Sequence, residues 1–330
     1  ATTEIYTARY TLSLHDALPI SILKGALACA AIAVSAVSAQ AEYPEKPVSF
    51  VVPWPPGDLE DVLTRLIADE FQKEYGVAAA VVNKPGGGGG PFPGAVEVAN
   101  APADGYTIGS FIIAIPVIGP DIGIPELNPN PFEPLGNFLT YPFVIAAKGD
   151  APYSSVDELA AYSKDNDVVL GHFGAPLIPT RVTMALAEKK GIEFAADVAF
   201  DALDCNTLAS GDADVINTTL QLIMPCMDDV TVLASVTGDR IPLTPDAPTV
   251  AELDPALNLS LWNGLFVHKD TPADVREKII AVAEKVMTSE AAQKIAADTG
   301  ALVYWQDASE VGPLIEADIE TLDGIMAILN

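Results

Sequence analysis

Val48-Ser49-Phe50-Val51-Val52 is a nearly unbroken apolar run that stops at Pro53. A run of that kind reads as a strand buried on both faces, as in a parallel sheet. Leu59, Val62, Leu63, Leu66, Ile67 and Phe71 follow at helical spacing, with Asp58 placed to cap the first turn. A second strand is expected over residues 78–82, then a glycine-rich loop at 86–90, a helix over 94–99 and a strand over 106–113. Strand, helix, strand, helix, strand is the pattern of a doubly wound α/β sheet.

Residues 116–142 are rich in Pro and Asn and read as a long loop or covering segment. A second set of elements begins with a strand at 143–147. Ser155-Val156-Asp157-Glu158 reads as a capping box opening a helix toward Lys164. A strand at 168–170 and a loop at 171–179 follow, with Pro179 suited to the first turn of a helix that ends near Gly191. Strands at 198–200, 215–217 and 230–236 and a short helix at 204–210 complete the set. Thr271-Pro272-Ala273-Asp274 is expected to cap a helix carrying Val275, Ile279, Val282 and Val286, and a last helix is expected over 311–328. No linker separates two halves. The expected division is one lobe of residues 42–142 plus 238–330 and another of 143–237.

Lys24, a short apolar stretch over 26–37 and Ala39-Gln40-Ala41 have the layout of a secretory signal peptide over 21–41, cut before Glu42. Residues 1–20 fit neither a leader nor a fold and read as a non-native or read-through segment. Export leaves Cys205 and Cys226, which an oxidising compartment permits to pair; two separate buried thiols are the alternative. With only His172 and His268 beyond the leader, no zinc or redox site is recognisable, and neither metal nor cofactor is expected. Asp and Glu number 45 against 17 Lys and Arg, a net charge of -28. Such a polyanion lacks the counter-charge that nucleic acid or anionic lipid requires, and no direct membrane insertion is expected.

Two loops are candidates for ligand binding. Pro53-Trp54-Pro55-Pro56-Gly57-Asp58-Leu59 joins the first strand to the first helix, where unpaired N–H groups and a helix dipole make an anion site and Trp54 offers a flat wall. Gly171-His172-Phe173-Gly174-Ala175-Pro176 is its counterpart in the second set. The amides around Gly57 and Gly174 are expected to hold the polar end of a ligand. His172 and Phe173 either line a cleft or serve the loop's own structure. Asp58 either meets a donor on the ligand or only caps the helix. The glycine run after Asn83-Lys84-Pro85 lacks both the GK[ST] ending of a phosphate loop and a GxGxxG fingerprint, so a nucleotide site is disfavoured. No GxSxG occurs, and no pair of carboxylates stands out as acid and base.

Tyr43-Pro44-Glu45-Lys46-Pro47, Val51-Val52-Pro53-Trp54-Pro55-Pro56-Gly57 with Asp61 and Arg65, Asn83-Lys84-Pro85-Gly86 and Asp104-Gly105-Tyr106-Thr107 form a series of signposts. Pro245-Asp246-Ala247-Pro248-Thr249-Val250-Ala251-Glu252, Trp262-x-Gly264-Leu265 and Thr271-Pro272 continue it. Together they resemble the periplasmic receptors of tripartite tricarboxylate transporters, the Bug family, over about residues 43–325. The resemblance implies a periplasmic binding protein with two α/β lobes around a cleft, where loop amides hold a carboxylate ligand. It places pocket segments at 54–61, at 171–180, near Phe200, Asp201 and Ala202, and near Asn217, Thr218 and Thr219. Asp58 and Glu60 depart from the family's glycine and small or hydroxyl residue, and Asp201 stands where lysine is common. Residues 175–179 replace several serines. Anionic side chains beside an anion site weaken carboxylate binding unless they are otherwise engaged.

The resulting expectation is not an enzyme. It is a receptor that captures a small organic acid and delivers it to membrane permease subunits. The alternatives are a periplasmic receptor feeding a sensor kinase and, behind it, a nucleotide-dependent enzyme.

Overall fold

The computed structural model describes residues 42–86, 90–200 and 202–330. The expected leader, the segment before it, the glycines at 87–89 and Asp201 lie outside these residues. Residues 44–330 belong to one unit.

Eleven described strands form two sheets. The first contains β1 (Val48–Val52), β2 (Ala79–Asn83), β3 (Thr107–Ile112), β4 (Phe132–Thr140), β10 (Trp262–His268) and β11 (Leu302–Asp307), in the order β11-β4-β10-β3-β1-β2. The second contains β5 (Phe143–Lys148), β6 (Val169–His172), β7 (Ala196–Ala199), β8 (Val215–Thr219) and β9 (Val230–Ser235), in the order β7-β6-β8-β5-β9. Both sheets are mixed. β1 runs parallel to β2 and β3, whereas β10, β4 and β11 add antiparallel strands beyond β3. β6 likewise runs parallel to β7 and β8, and β5 is antiparallel to its neighbours β8 and β9.

The doubly wound expectation therefore holds for each parallel trio and needs correction at the antiparallel strands. The largest omission is β4, which occupies the region expected to be a loop. Pro134, Gly136 and Asn137 carry turn chemistry and hide the strand in the sequence. In place, β4 pairs along its length with β10 through two register shifts. Gly136 is required there, because a Cβ would meet the Trp305 ring and the Gln306 carbonyl on β11.

The first helix, Leu59–Tyr75, buries Leu59, Leu63, Ile67 and Phe71, one residue per turn on one face. Gly76 ends it in the left-handed conformation, with its N–H on the Gln72 carbonyl. The Ile178–Lys190 helix begins as expected with Pro179 in its first turn and ends at left-handed Gly191. At the Val156–Tyr162 helix, the Ser155 side chain accepts from the Glu158 amide, but the Glu158 carboxylate turns to Ser154 rather than closing the box. The Ala273–Met287 helix has Pro272 at its N-cap and no side-chain cap bond.

The chain passes from the first sheet to the second in two residues, Tyr141 and Pro142. The Tyr141 N–H donates to the Leu261 carbonyl (2.8 Å), and the Pro142 carbonyl accepts from the Leu220 N–H (2.9 Å). The C-terminal helix Ala308–Leu329 packs on both β4 and the Ile178–Lys190 helix, so it ties the sheets together. In it, buried Asp318 accepts from the Trp262 indole N–H at 2.7 Å, and burial pushes its carboxyl up to about 6. No helix among the described residues is long and apolar enough to cross a membrane.

Cys205 and Cys226 form a disulfide, with Cα atoms 5.9 Å apart and a sequence separation of 21. It joins the start of the Cys205–Ser210 helix to the segment before β9. Closing a loop of that length removes about 3 kcal/mol of unfolded-chain entropy. Reduction, or Cys205→Ser with Cys226→Ser, should lower the stability measured by denaturant titration by about that amount. An unchanged midpoint with and without reductant would show that the bond contributes nothing.

Candidate functional site

β1 and β6 hold equivalent places, each the middle strand of a parallel trio. From each, the chain moves to a neighbour on one side, and the third strand lies on the other. The carboxyl end of such a strand is a topological switch point, where α/β sheets open a crevice. The two loops identified from sequence leave these two strand ends.

In the first loop, Pro55, Pro56, Gly57 and Asp58 are exposed and Trp54 is partly buried. Gly57 has φ +98°, a conformation that side chains resist. Asp58 occupies the N-cap of the Leu59–Tyr75 helix, yet its side chain makes no cap bond. Partial desolvation and then the charge of Asp61 raise its carboxyl. Asp61 does the local work instead. It accepts from the Gly57 N–H (2.9 Å), from Asn83 Nδ2 (2.7 Å) and from Arg65 at Nε (2.9 Å) and Nη2 (2.8 Å). Asn83 also donates to the Trp54 carbonyl at 3.0 Å and accepts from Arg65 Nη2 at 2.9 Å. Burial raises the Asp61 carboxyl, but these donors outweigh it and hold it below the usual range. The signposts Asp61, Arg65 and Asn83 thus form one brace for the Trp54 loop.

The second loop is braced differently. The Gly174 N–H donates to His172 Nδ1 at 2.9 Å, which leaves Nε2 facing Asp197 Oδ1 at 3.0 Å. His172 is 2% exposed, with both ring nitrogens engaged, so its visible role is to shape the loop. The two glycine amides expected to meet a ligand, those of Gly57 and Gly174, are each bonded within their own loop. The N–H groups without an intrahelical partner lie in the first turns of the two helices that follow, where Pro179 has none to offer and the Glu60 amide meets its own carboxylate. Phe173 and Gly174 are partly buried and Ala175 is exposed. The Phe173 ring meets Phe143 edge-on, with centroids 6.4 Å apart. Phe200 donates its N–H to the His172 carbonyl at 2.9 Å, so it stands beside this loop. Thr218 is fully buried, and its hydroxyl donates to the Leu203 carbonyl at 2.6 Å.

Glu60 was legible only as an acidic departure at a helix start. It is 3% exposed, and Tyr141 donates to its Oε2 at 2.9 Å. The Tyr141 hydroxyl also lies 3.3 Å from Asn263 Oδ1. Asn263 Nδ2 donates to Ser110 Oγ at 2.8 Å, and Thr64 Oγ1 donates to the same oxygen at 2.9 Å. A buried polar chain therefore runs from the first loop's helix to the residue at which the sheets are joined. Burial pushes the Glu60 carboxyl up to about 8, reinforced by Asp58 and Asp61. The Tyr141 phenol is likewise raised, by burial and then by Glu60. Sequence distance hid this pairing, because Tyr141 lies 81 residues from Glu60.

Among the described residues, no group of three or more His, Cys, Asp or Glu side chains is arranged to hold a metal ion. Two surface hollows lie away from both loops. One, of about 330 Å³, borders Ser155, Thr231 and Pro248, and the other, of about 400 Å³, borders Leu66, Lys73 and Lys285.

Residues 63–330 match the family described as "Tripartite tricarboxylate transporter family receptor". The chain is 27% identical over 278 residues to a UPF0065 protein in the tcbD-tcbE intergenic region of Pseudomonas sp. (strain P51), covering 80% of this chain and 81% of that one. Among solved structures, an R. palustris protein with adipate superposes with TM-score 0.73 at 22% identity, covering 87% of this chain and 98% of that one. MatC from Rhodopseudomonas palustris with bound malate gives TM-score 0.69 at 22% identity, over 86% of this chain and all of that one. At these identities the likeness to the two structures shows the fold.

Proposed function

The chain belongs to the tripartite tricarboxylate transporter receptor family, a family of solute-binding proteins rather than enzymes, and we propose that it captures a small organic acid in the periplasm and passes it to the membrane subunits of such a transporter. The observation that carries this reading is the equivalent placement of the two loops. Each leaves the middle strand of a parallel trio, turns at a glycine of positive φ and opens a helix of eight residues or more. Two helix N-termini offer unpaired N–H groups to an anionic end group. The adipate and malate carried by the two structural neighbours are acids of that kind.

In this reading the lobes comprise residues 42–142 plus 238–330 and residues 143–237, and the cleft lies between the loops. Trp54 and Pro56 wall one side, and Phe173, Ala175 and Phe200 wall the other. Gly57 and Gly174 give the loops their shape, and Leu59 N–H belongs to the first helical turn. Thr218 stands behind the second side, buried and with its hydroxyl bonded to the Leu203 carbonyl. Asp58, exposed and free of a cap bond, meets a donor on the ligand.

A thermal-shift screen against aliphatic, aromatic and amino acids tests the function directly. Melting temperatures that no acid raises would count against it. With a ligand in hand, Trp54→Ala should weaken binding by about 1–3 kcal/mol, as expected for a buried aromatic contact. Unchanged affinity with an intact circular-dichroism spectrum would place the site elsewhere. Asp58→Asn should lower affinity for a donor-bearing ligand with little change in stability, since the carboxylate caps nothing.

A further inference from the structure

Tyr141 is one of the two residues that carry the chain from the first sheet to the second, and its hydroxyl stands between two acceptors. Glu60 Oε2 lies 2.9 Å away and Asn263 Oδ1 3.3 Å away. The phenol has one proton to give. Given to Glu60, it leaves Asn263 Oδ1 facing an oxygen with no proton between them. Given to Asn263, it leaves Glu60 Oε2 against the phenol oxygen, a contact that only a proton on Glu60 turns into a hydrogen bond. Both contacts are bonds at once only when the carboxyl is protonated. Glu60 then donates to Tyr141, and Tyr141 donates to Asn263.

The far end of this chain of bonds fixes which way Asn263 faces. Its Nδ2 donates to Ser110 Oγ at 2.8 Å, and Thr64 Oγ1 donates to the same oxygen at 2.9 Å. Thr64, Ser110 and Asn263 are all 0% exposed. Turning the amide over would give up the 2.8 Å bond and oblige Ser110 to redirect its own proton, inside a site closed to water. The Asn263 carbonyl is therefore held toward Tyr141. Burial of Glu60 favours the proton this arrangement needs. The titratable groups facing Glu60 are Asp58 and Asp61 on its own helix and Tyr141 at the crossover. Arg65 is engaged with Asp61, and β3 and β10 present the neutral Ser110 and Asn263.

We propose that Glu60, Tyr141 and Asn263 form a proton-keyed latch on the crossover between the sheets. The protonated carboxyl ties the Leu59–Tyr75 helix, through Tyr141, to β10, and its ionisation releases Asn263 from Tyr141. The latch rests on the two-lobe, organic-acid reading above, in which the crossover is a hinge. Glu60 stands where the resemblance has a small or hydroxyl residue, so the device is particular to this chain. Closed, it holds Tyr141 at two points, the N–H on the Leu261 carbonyl at 2.8 Å and the hydroxyl on Asn263 two residues along. Open, it leaves the backbone bond alone to hold Tyr141 to this segment, and the lobes part more readily.

The test has two arms. In ligand-free protein, NMR of the Asn263 side-chain amide should show its carbonyl bonded at pH 6.5 and released at pH 9.5, with its N–H group still on Ser110. Glu60→Gln, whose amide donates to Tyr141 as the protonated acid does, should keep the bonded state at both. An Asn263 amide that turns over and keeps its bond to Tyr141, or one that ignores pH, would overturn the latch. The second arm is the dissociation rate of an acid found by the thermal-shift screen. Between those pH values it should rise on the order of tenfold in the wild type, the worth of one hydrogen bond, and stay slow in Glu60→Gln. Tyr141→Phe separates the latch from charge repulsion between Glu60 and the ligand. Without the phenol, Glu60 loses a partner of its ionised form and stays neutral, so repulsion predicts slow release throughout. An open latch predicts the wild type's alkaline rate already at pH 6.5, and Asn263→Leu, which removes the acceptor, should match it. Slow release at pH 6.5 in either variant that folds would overturn the latch. If no organic acid binds the wild type, the proposed function fails, and the ligand-free spectra judge the latch separately.

Discussion

Arg65→Ala should cost the fold about 1.5–3 kcal/mol and release the Trp54 loop, because it strips a buried carboxylate of a half-exposed cationic partner and two charge-assisted hydrogen bonds. Asp61 is 1% exposed, and two of its hydrogen bonds come from the Arg65 fork. The remaining donors, Asn83 and the Gly57 amide, are neutral and cannot replace the charge. Asn83 would also lose the Arg65 donor that fixes its carbonyl, and with it the hold on the Trp54 carbonyl. The damage should therefore appear first in the loop, as faster hydrogen exchange at the Gly57 amide. Arg65→Lys keeps the charge but not the fork and should recover part of the loss. A melting temperature within a degree of wild type, with Gly57 still protected, would show that the brace is ornamental. The pH dependence has a definite sign. Asp61's carboxyl is held below its ordinary value, so its contribution is present above the unfolded pKa and disappears as pH falls through the folded one. Wild type and Arg65→Ala should converge in acid.

Local order was what the sequence could carry. β1 matches its apolar run to the residue, and the first helix follows from Leu59, Leu63, Ile67 and Phe71. Both candidate loops were found at strand ends because proline, glycine and a following helical period mark such turns without help from the rest of the chain. What failed was long-range. β4 carries Pro134 and Gly136 because β10 and β11 press on it from either side, and the sequence shows the turn residues without the neighbours. β10 was visible as the phrase from Trp262 to Leu265 but not as a strand, since Asn263 and Gly264 interrupt its apolar character. Asp58 was placed at the helix start correctly, yet the side chain that satisfies Gly57 is Asp61, one turn on. Glu60 read only as an acidic departure near an anion site, because its burial beside Tyr141 depends on a partner 81 residues away. Asn217 was reached only through the resemblance, for an unpaired amide is recognised only when every possible partner has a position.

Glu60→Gln should make the protein more stable above neutral pH and leave it unchanged in strong acid. The folded carboxyl titrates at about 8 against an ordinary value of 4.5, with burial as the main cause. A raised folded pKa means that its share of stability is full below pH 4.5 and lost as pH rises through about 8. At about 1.4 kcal/mol for each decade, the full loss is on the order of 5 kcal/mol. Glutamine keeps an acceptor for the Tyr141 hydroxyl and removes the charge that burial penalises. The groups facing this carboxyl are Asp58, Asp61 and Tyr141, and none is a cation; its own backbone N–H and the Tyr141 hydroxyl favour the ionised form, but burial outweighs them. The difference in unfolding free energy between variant and wild type should be near zero at pH 4, grow through neutrality and level off above pH 8. A flat difference across that range would mean that Glu60 is solvated and ionised like a surface carboxylate. The same protonation answers the difficulty raised by an acidic residue beside an anion site. Near neutral pH the Glu60 side chain is uncharged, so it does not oppose an organic acid at the helix N-terminus. Affinity for such an acid should fall as pH rises past 8 in the wild type and stay level in Glu60→Gln.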